Sequence, residues 1–285
     1  MFKNILIPIS SEFYSKQILK RGVFLADKFQ SRLNLLFIIE EKAFNQTDRL
    51  VNSYRTAEEK KEYHREVIAT QKQIADQIVF NDAKKILKNK KTSFNEKILK
   101  GEFSDTIKKE ISKNKYDLIL MGFEKECILN YRLFEEVDIP VWTEGAGISK
   151  KILAVCSNIA PNQKVPQTAI KLAEKLKWTL NMVYIVDVED SVQVDKNGKR
   201  SDKKTEEDLM SEAKKFAEKM QKNNINTELL QGSLEKQTIK KAKEINANLV
   251  IIGREQKKKG ILGLPIKNLK KKIAEKCQYS ILFIN

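Results

Sequence analysis

The residues best suited to chemistry form a basic, glycine-containing stretch near the end of the chain. It follows Gly253, contains Gly260 and Gly263, and carries the cationic side chains Arg254, Lys257, Lys258, Lys259, Lys267, Lys270, Lys271 and Lys272. Glycines let the backbone approach a phosphate closely, and a lysine ammonium group attracts anions as a mobile point charge. The stretch therefore predicts either an anion site or a solvated basic loop, and the sequence leaves both interpretations open.

Other reactive side chains are poorly arranged for catalysis or metal binding. The three cysteines, Cys127, Cys156 and Cys277, form no CxxC pair, and the single histidine, His64, lies in a charged helical pattern. We expect the cysteines to pack as small apolar side chains and His64 to face solvent. The motifs GxSxG, HExxH and GxxxxGK[ST] do not occur. The sequence thus predicts no enzyme and no metal site, and the cysteine usage favours a cytoplasmic protein.

The net charge of +16 is concentrated in the second half of the chain. Residues 149–285 contain 28 Lys and Arg against 16 Asp and Glu, compared with 26 against 22 in residues 1–148. A basic excess can attract nucleic acid or other anions. Specific base readout favours arginine and aromatic side chains in a known module, which we do not find. We therefore expect no nucleic-acid partner and keep a basic nucleic-acid- or anion-binding protein as an alternative function.

The sequence pattern also argues against a membrane-spanning helix and against a secretory signal. The longest apolar runs are far shorter than the roughly 20 residues that a spanning helix needs. The N-terminus enters a strand pattern directly, without the ordered regions of a secretory signal. We expect no membrane partner.

The elements that must position these residues occur twice, because the second half of the sequence repeats the first. Gly101 and Gly122 are 21 residues apart, as are Gly232 and Gly253, and each pair encloses a Lys/Ile-rich stretch and an apolar run. An earlier segment, 3–10, likewise matches 150–157. A repeat of this length is a whole domain rather than a solenoid unit. We predict domains at residues 1–146 and 149–285, joined by small residues that suit a hinge.

Each half alternates short apolar runs with amphipathic stretches, which is the pattern of βαβ units around a parallel sheet. The prediction is an α/β fold with two doubly wound, three-layer domains, each with five strands and helices on both faces. The predicted strands cover 4–9, 33–39, 94–99, 117–121 and 140–143 in the first half, and 151–156, 180–186, 227–230, 249–252 and 280–284 in the second. The polar segment 190–204 is predicted to be an exposed loop.

The first copy contains an extra segment. The offset between copies is 147 residues at the first strand and 131 at the glycines, so the first copy has 16 more residues between them. We place them in the region 41–91, where residues 56–91 predict one long helix or two. We expect this segment to pack on its own domain and to contribute to a homodimer.

Two such domains in tandem resemble the universal stress protein family. The resemblance rests on the opening strands, the turns at Gly101 and Gly232, the strands that end at Gly122 and Gly253, and the closing run 281–284. It implies a strand order of 3-2-1-4-5 in each domain. It also implies that the two domains pack as an intramolecular pseudo-dimer through their last strands.

The same resemblance locates a nucleotide position in each copy. Nucleotide-binding members have an aspartate at the end of the first strand, a backbone contact at the end of the second, and the loop G-x2-G-x9-G-[ST] after the fourth. Here Ser10 and Ser157 replace the aspartate, and the first copy's loop after Gly122 is short and acidic. In the second copy the corresponding positions, with the loop's additional glycines, are Ser157, Ile185, Gly253, Gly260, Gly263, Lys267, Asn268 and Leu269.

These departures favour a non-enzymatic stress-response or regulatory protein with degenerate nucleotide sites and no cofactor. The first alternative is an adenine-nucleotide-binding protein that holds ATP or AMP in the second domain only, with slow hydrolysis left open. A small anion in place of the nucleotide is a further possible partner.

Overall fold

A computed structural model describes residues 1–10, 15–40, 56–88, 93–122, 137–160, 163–195, 201–253, 273 and 276–284 of the chain. The chain divides into two compact units, unit 1 over Met1–Leu133 and unit 2 over Phe134–Asn285. In the described part of the chain, no helix combines the length and the apolar character needed to cross a membrane.

Unit 1 contains four parallel strands in the order β3-β2-β1-β4. The strands are β1 (Asn4–Ser10), β2 (Arg32–Glu40), β3 (Phe94–Gly101) and β4 (Leu118–Gly122). The helices are α1 (Lys16–Phe29), α2 (Ala57–Ile74), α3 (Asn81–Leu87) and α4 (Phe103–Lys113), with a π-helical segment, Ala75–Phe80, between α2 and α3.

Unit 2 contains six strands in the order β5-β10-β9-β6-β7-β8. The strands are β5 (Val141–Glu144), β6 (Lys151–Ser157), β7 (Thr179–Val186), β8 (Thr227–Gln231), β9 (Leu249–Gly253) and β10 (Ser280–Ile284). The helices bounded in this unit are α5 (Val165–Leu176), α6 (Glu206–Gln221) and α7 (Leu234–Glu244).

The α/β class and the order of elements are confirmed, while one detail of the sheets differs. The five strands β8-β7-β6-β9-β10 are parallel in the expected order 3-2-1-4-5. The last strands of the two repeats, β5 and β10, pair antiparallel, as the resemblance implied, but β5 belongs to unit 2. Unit 2 is therefore larger than the second repeat by one strand.

Burial follows the position of each strand in its sheet. All residues of β9 and β10 are buried, as are the last six of β6, whereas β3 and β8 at the sheet edges are largely accessible. A strand that is covered by helices on both faces has apolar residues at nearly every position. The buried strands β6, β9 and β10 therefore appear in the sequence as continuous apolar runs.

The extra helical segment of the first copy is confirmed and extends from Ala57 to Leu87. It begins with a capping box, in which the Thr56 hydroxyl accepts from the Glu59 amide and the Glu59 carboxylate accepts from the Thr56 amide. No residue of α2 is buried, but the π-helical segment and α3 bury Ala75, Val79, Phe80, Ala83 and Leu87. The second half of the segment thus anchors it to unit 1.

Two glycines of the segment 145–148, for which the sequence predicts a hinge, lie close to other backbone atoms. A Cβ atom at Gly145 would lie 2.4 Å from the Tyr279 carbonyl carbon, and one at Gly147 would lie 2.7 Å from the Asn248 Cα. The Gly145 amide donates to the Ser280 hydroxyl at 3.0 Å. Glycine is required here because two backbones approach closely, so the segment is packed.

Candidate functional site

The predicted site residues of the second domain lie at the carboxyl ends of its parallel strands. Ser157 ends β6 and is in register with Ile185 of β7, which is in register with Leu230 of β8. Gly253 ends β9 opposite Ile284. In open α/β sheets ligands bind at this edge, so the structure brings Ser157 and Ile185 together where a site is expected.

The other five predicted residues fall outside the described part of the chain: Gly260, Gly263, Lys267, Asn268 and Leu269. Their role in anion or nucleotide binding stays a prediction, as does the phosphate-binding role of the whole basic stretch that follows Gly253.

Ser157 is oriented into the protein. The residue is 0% exposed, and its hydroxyl accepts from the Ile159 amide at 3.3 Å and donates to the Asn158 side-chain oxygen at 3.4 Å. Its hydrogen-bonding capacity is thus already used within the chain. A base arriving at this strand end would have to displace those contacts.

Asn158, which the sequence analysis did not single out, closes the same strand end. Its side-chain nitrogen donates to three backbone carbonyls, those of Asp187 at 3.2 Å, Asp190 at 3.3 Å and Val192 at 2.8 Å. Its side-chain oxygen accepts from the Asp187 amide at 2.7 Å. One carboxamide therefore fastens the 187–192 segment over the end of β6.

The Asn158 contacts correct the prediction of an exposed loop for residues 190–194, whereas Asp202 and Lys203 are exposed as predicted and residues 196–200 lie outside the described part of the chain. Val194, within that range, is only 5% exposed, because its amide donates to the Asn158 carbonyl at 2.7 Å and draws the segment inward. Polar composition suggested exposure, but hydrogen bonds to a buried partner satisfy this backbone instead.

Asp187 is the second residue that the sequence analysis missed. It is 2% exposed; one carboxylate oxygen accepts from the Glu189 and Asp190 amides, and the other accepts from the Leu234 amide at 2.6 Å. Leu234 is the first residue of α7, so the carboxylate lies at a helix N-terminus, where a negative charge is stabilised. That helix end is consequently occupied by the protein's own anion.

A repeat-level signal could have identified Asp187. It lies 147 residues after Glu40, which takes the same place at the end of β2, and both follow a buried apolar strand. Glu40 is also buried, at 6% exposure. An acidic residue at the same buried position in both copies indicates a structural requirement of the fold.

The first domain also buries a serine at the end of β1, but its hydrogen bonding differs from that of Ser157. Ser10 is 0% exposed and in register with Ile38, and its hydroxyl has no hydrogen-bond partner among the described residues. The short acidic loop that the sequence predicts after Gly122 lies outside those residues.

The two described cysteines are poorly suited to act as nucleophiles. Burial raises the pKa of the Cys156 thiol far above its ordinary value, and burial also raises the pKa of Cys277 despite a hydrogen bond from the Tyr279 backbone. Both thiols are therefore protonated at neutral pH and are poor nucleophiles. No group of three His, Cys, Asp or Glu side chains in the described ranges could hold a metal ion.

Comparison with known proteins agrees with the fold. The model of the universal stress protein family matches residues 1–138 and 149–285. A structure from Pseudomonas aeruginosa UCBPP-PA14, described as a candidate universal stress protein, superposes with a TM-score of 0.69 at 15% identity, covering 99% of this chain and 93% of that one. A universal stress protein from Archaeoglobus fulgidus DSM 4304 gives 0.66 at 10% identity, covering 99% and 98%. No curated protein sequence matches this chain.

Proposed function

Because this chain belongs to the universal stress protein family, we propose that it is a stress-response regulatory protein that acts without catalysis and whose nucleotide positions are degenerate. The observation that carries the proposal is the end of β6, where the resemblance places an adenine contact. Ser157 is fully buried there, and Asn158 ties the 187–192 segment across it. The chain's own polar groups thus take the place of a bound base.

The charges near this edge support the same proposal. The Asp187 carboxylate already caps α7, and Glu235 in the first turn of that helix is paired with Lys276 at 2.5 Å. The Asp187 carboxylate at the helix N-terminus disfavours a phosphate group there by repulsion, while the Glu235 charge is offset by Lys276. A regulatory role through protein contacts requires neither a phosphate site nor a catalytic residue.

Small-molecule analysis of the purified full-length protein tests the proposal. We expect mass spectrometry of released compounds to find no stoichiometric ATP or AMP, and we expect added ATP to leave the melting temperature unchanged. Incubation with ATP should release no more phosphate than buffer alone. One tightly bound nucleotide per chain would overturn the proposal.

That overturning result would favour the alternative of ATP or AMP in the second domain, in which the lysines after Gly253 hold the phosphates. Lys267→Glu should then weaken nucleotide binding, because it reverses a charge in the basic stretch. Lys175→Glu makes the same change at an exposed position in the last turn of α5 and should have no effect.

Association with a second copy is part of the proposal. The side chains of Tyr63, Val67, Ile68 and Ile74 on α2 are only half-buried. Tyr63, Val67 and Ile74 share one helical face, and Ile68 lies beside that face. Sedimentation of the double variant Val67→Lys, Ile68→Lys should give a monomer where the unmodified chain gives a dimer. Cytoplasmic localisation likewise stays a prediction from the sequence.

A further inference from the structure

A cleft of about 760 Å³ opens in unit 2 between α5 and α6. Tyr184 of β7 and Phe216 of α6 form an aromatic pair in it, with ring centroids 5.1 Å apart, and Ile170 and Met220 add apolar surface. The volume falls within the range of small-molecule sites, which are about 300–1,000 Å³. The cleft is lined by helix faces and the 193–195 segment, and it contains neither Ser157 nor Asp187.

In unit 1 the corresponding helix α1 packs against α3, a helix of the extra segment. Val23 of α1, which corresponds to Ile170 at the offset of 147 residues, is 7% exposed, and an ion pair between Lys16 and Asp82 joins the two helices. Ile170 and Phe216 remain half-exposed in unit 2. In the first copy, the extra segment thus supplies a helix, α3, that packs against α1. In the second copy, the apolar side chains of Ile170 and Phe216 remain accessible to solvent.

The chemistry of the cleft defines what it could hold. An aromatic ring of a ligand could stack on the aromatic walls or meet them edge-on. Carboxamides on the rim, such as that of Gln167, can donate hydrogen bonds to a ligand's polar groups and accept hydrogen bonds from them. Lys219, also on the rim, forms no ion pair with any described residue, whereas its neighbour Lys215 is paired with Glu212 at 3.0 Å. One ammonium group is therefore available to an anion.

We propose that this cleft is a ligand site for a small molecule with a planar apolar body and a single anionic group. The body would lie against Tyr184, Phe216 and Met220, with its charged group at Lys219. A polyphosphate fits less well, because Glu212 and Asp195 also line the cleft and would repel a multiply charged group. The proposal is independent of the nucleotide positions at the end of β6.

Anilinonaphthalene sulfonate, a dye with a planar apolar body and one sulfonate, is the probe for the test. We expect its fluorescence to rise on binding the native full-length chain and to saturate at one dye per chain. Lys219→Glu should weaken binding about fivefold, the effect of losing an accessible ion pair. Lys214→Glu is the matched control, since it reverses an exposed charge on the same helix outside the cleft and should leave the affinity unchanged.

Two filling variants complete the test. Ile170→Trp should abolish saturable dye binding by occupying the cleft. If Ile170→Trp lowers the melting temperature, Gln167→Trp at the rim serves as the second filling variant, and it should also abolish saturable binding. Dye binding that is equally strong in Lys219→Glu and Lys214→Glu, or that survives both tryptophan variants in folded protein, would overturn the proposal. Displacement of the dye is not expected from ATP, so the result does not depend on the nucleotide experiment.

Discussion

At the scale of single residues, Asn158 and Asp187 decide what the carboxyl edge of unit 2 can do. Both are buried, and together they satisfy the backbone of the 187–194 segment and the first amide of α7. A buried polar network of this kind is stabilising only when all its members are satisfied. Removing one member should therefore lower the free energy of unfolding by more than the contribution of its own hydrogen bonds, because its former partners would stay buried without hydrogen bonds.

Asn158→Ala is predicted to destabilise unit 2 by about 3 kcal/mol, because it leaves buried donors and acceptors without partners. Urea unfolding followed by circular dichroism would measure the change. Asn223→Ala is the control, since that exposed carboxamide reaches only the Lys219 carbonyl, and it should cost less than about 0.5 kcal/mol. Equal effects of the two variants would contradict the role assigned to Asn158.

Glu110 makes stability depend on pH. Burial alone raises its pKa, but hydrogen bonds from Lys97 and Tyr116, together with the charges of Lys97 and Lys113, outweigh burial and hold the pKa below the ordinary value of 4.5. A carboxyl group with a lowered folded-state pKa contributes stability above its unfolded pKa, and this is lost as the pH falls through 4.5 and below. The free energy of unfolding should thus fall on acidification, and less so in Glu110→Gln, as urea titrations at pH 7 and at acid pH would show. An identical acid loss in the variant would exclude this group as the cause.

At the scale of elements, the two copies join the same helix and strand with opposite charges. In unit 1, Lys97 of β3 pairs with Glu110 of α4 at 2.6 Å. In unit 2, Glu228 of β8 pairs with Lys241 of α7 at 2.7 Å, and both residues lie 131 positions further along. The ion pair lies at the same place in both copies, but the acidic and the basic residue have exchanged elements. This indicates that the fold requires an ion pair here and does not require the basic residue to be on the strand.

This exchange predicts that the pair in unit 1 tolerates reversal. Lys97→Glu should destabilise by about 2 kcal/mol, because the buried Glu110 carboxylate would lose its cationic partner and face a second carboxylate. Adding Glu110→Lys should recover about 1 kcal/mol by restoring an ion pair in the order found in unit 2. Lys109→Glu, an exposed change on the same helix, should be nearly neutral. A double variant no more stable than Lys97→Glu would argue against the equivalence of the two contacts.

At the scale of the whole molecule, β5 ties the end of the first repeat into unit 2. It pairs with β10 through Trp142 and its neighbours, and Trp142 is fully buried. The family match ends at residue 138 in the first copy, before this strand, and resumes at 149 after it. The predicted domain bounds at 146 and 149 therefore stay a prediction.

Two fragments would locate the folding boundary. Fragment 134–285 should melt about 5 °C or more above fragment 149–285, because the shorter fragment leaves the β10 edge without its antiparallel partner. Fragment 149–285 should also self-associate in size-exclusion chromatography. Trp142→Ala in the longer fragment should remove most of the difference, and equal melting temperatures for all three would place the boundary at 149.

The sequence alone determined the repeat, the α/β class and the extra helical segment, because these depend on periodicity and on the apolar runs of buried strands. The strand order 3-2-1-4-5 was implied by the resemblance to the family, and the second copy has it. The same resemblance assigned Ser157 and Ile185 to neighbouring strand ends, where the structure has them in register. Only the tertiary structure decided that Asn158 closes over Ser157, that Asp187 caps α7, and that β5 lies in unit 2. Those contacts join residues tens to more than a hundred positions apart, and a local pattern does not specify which distant backbone group a buried polar side chain will satisfy.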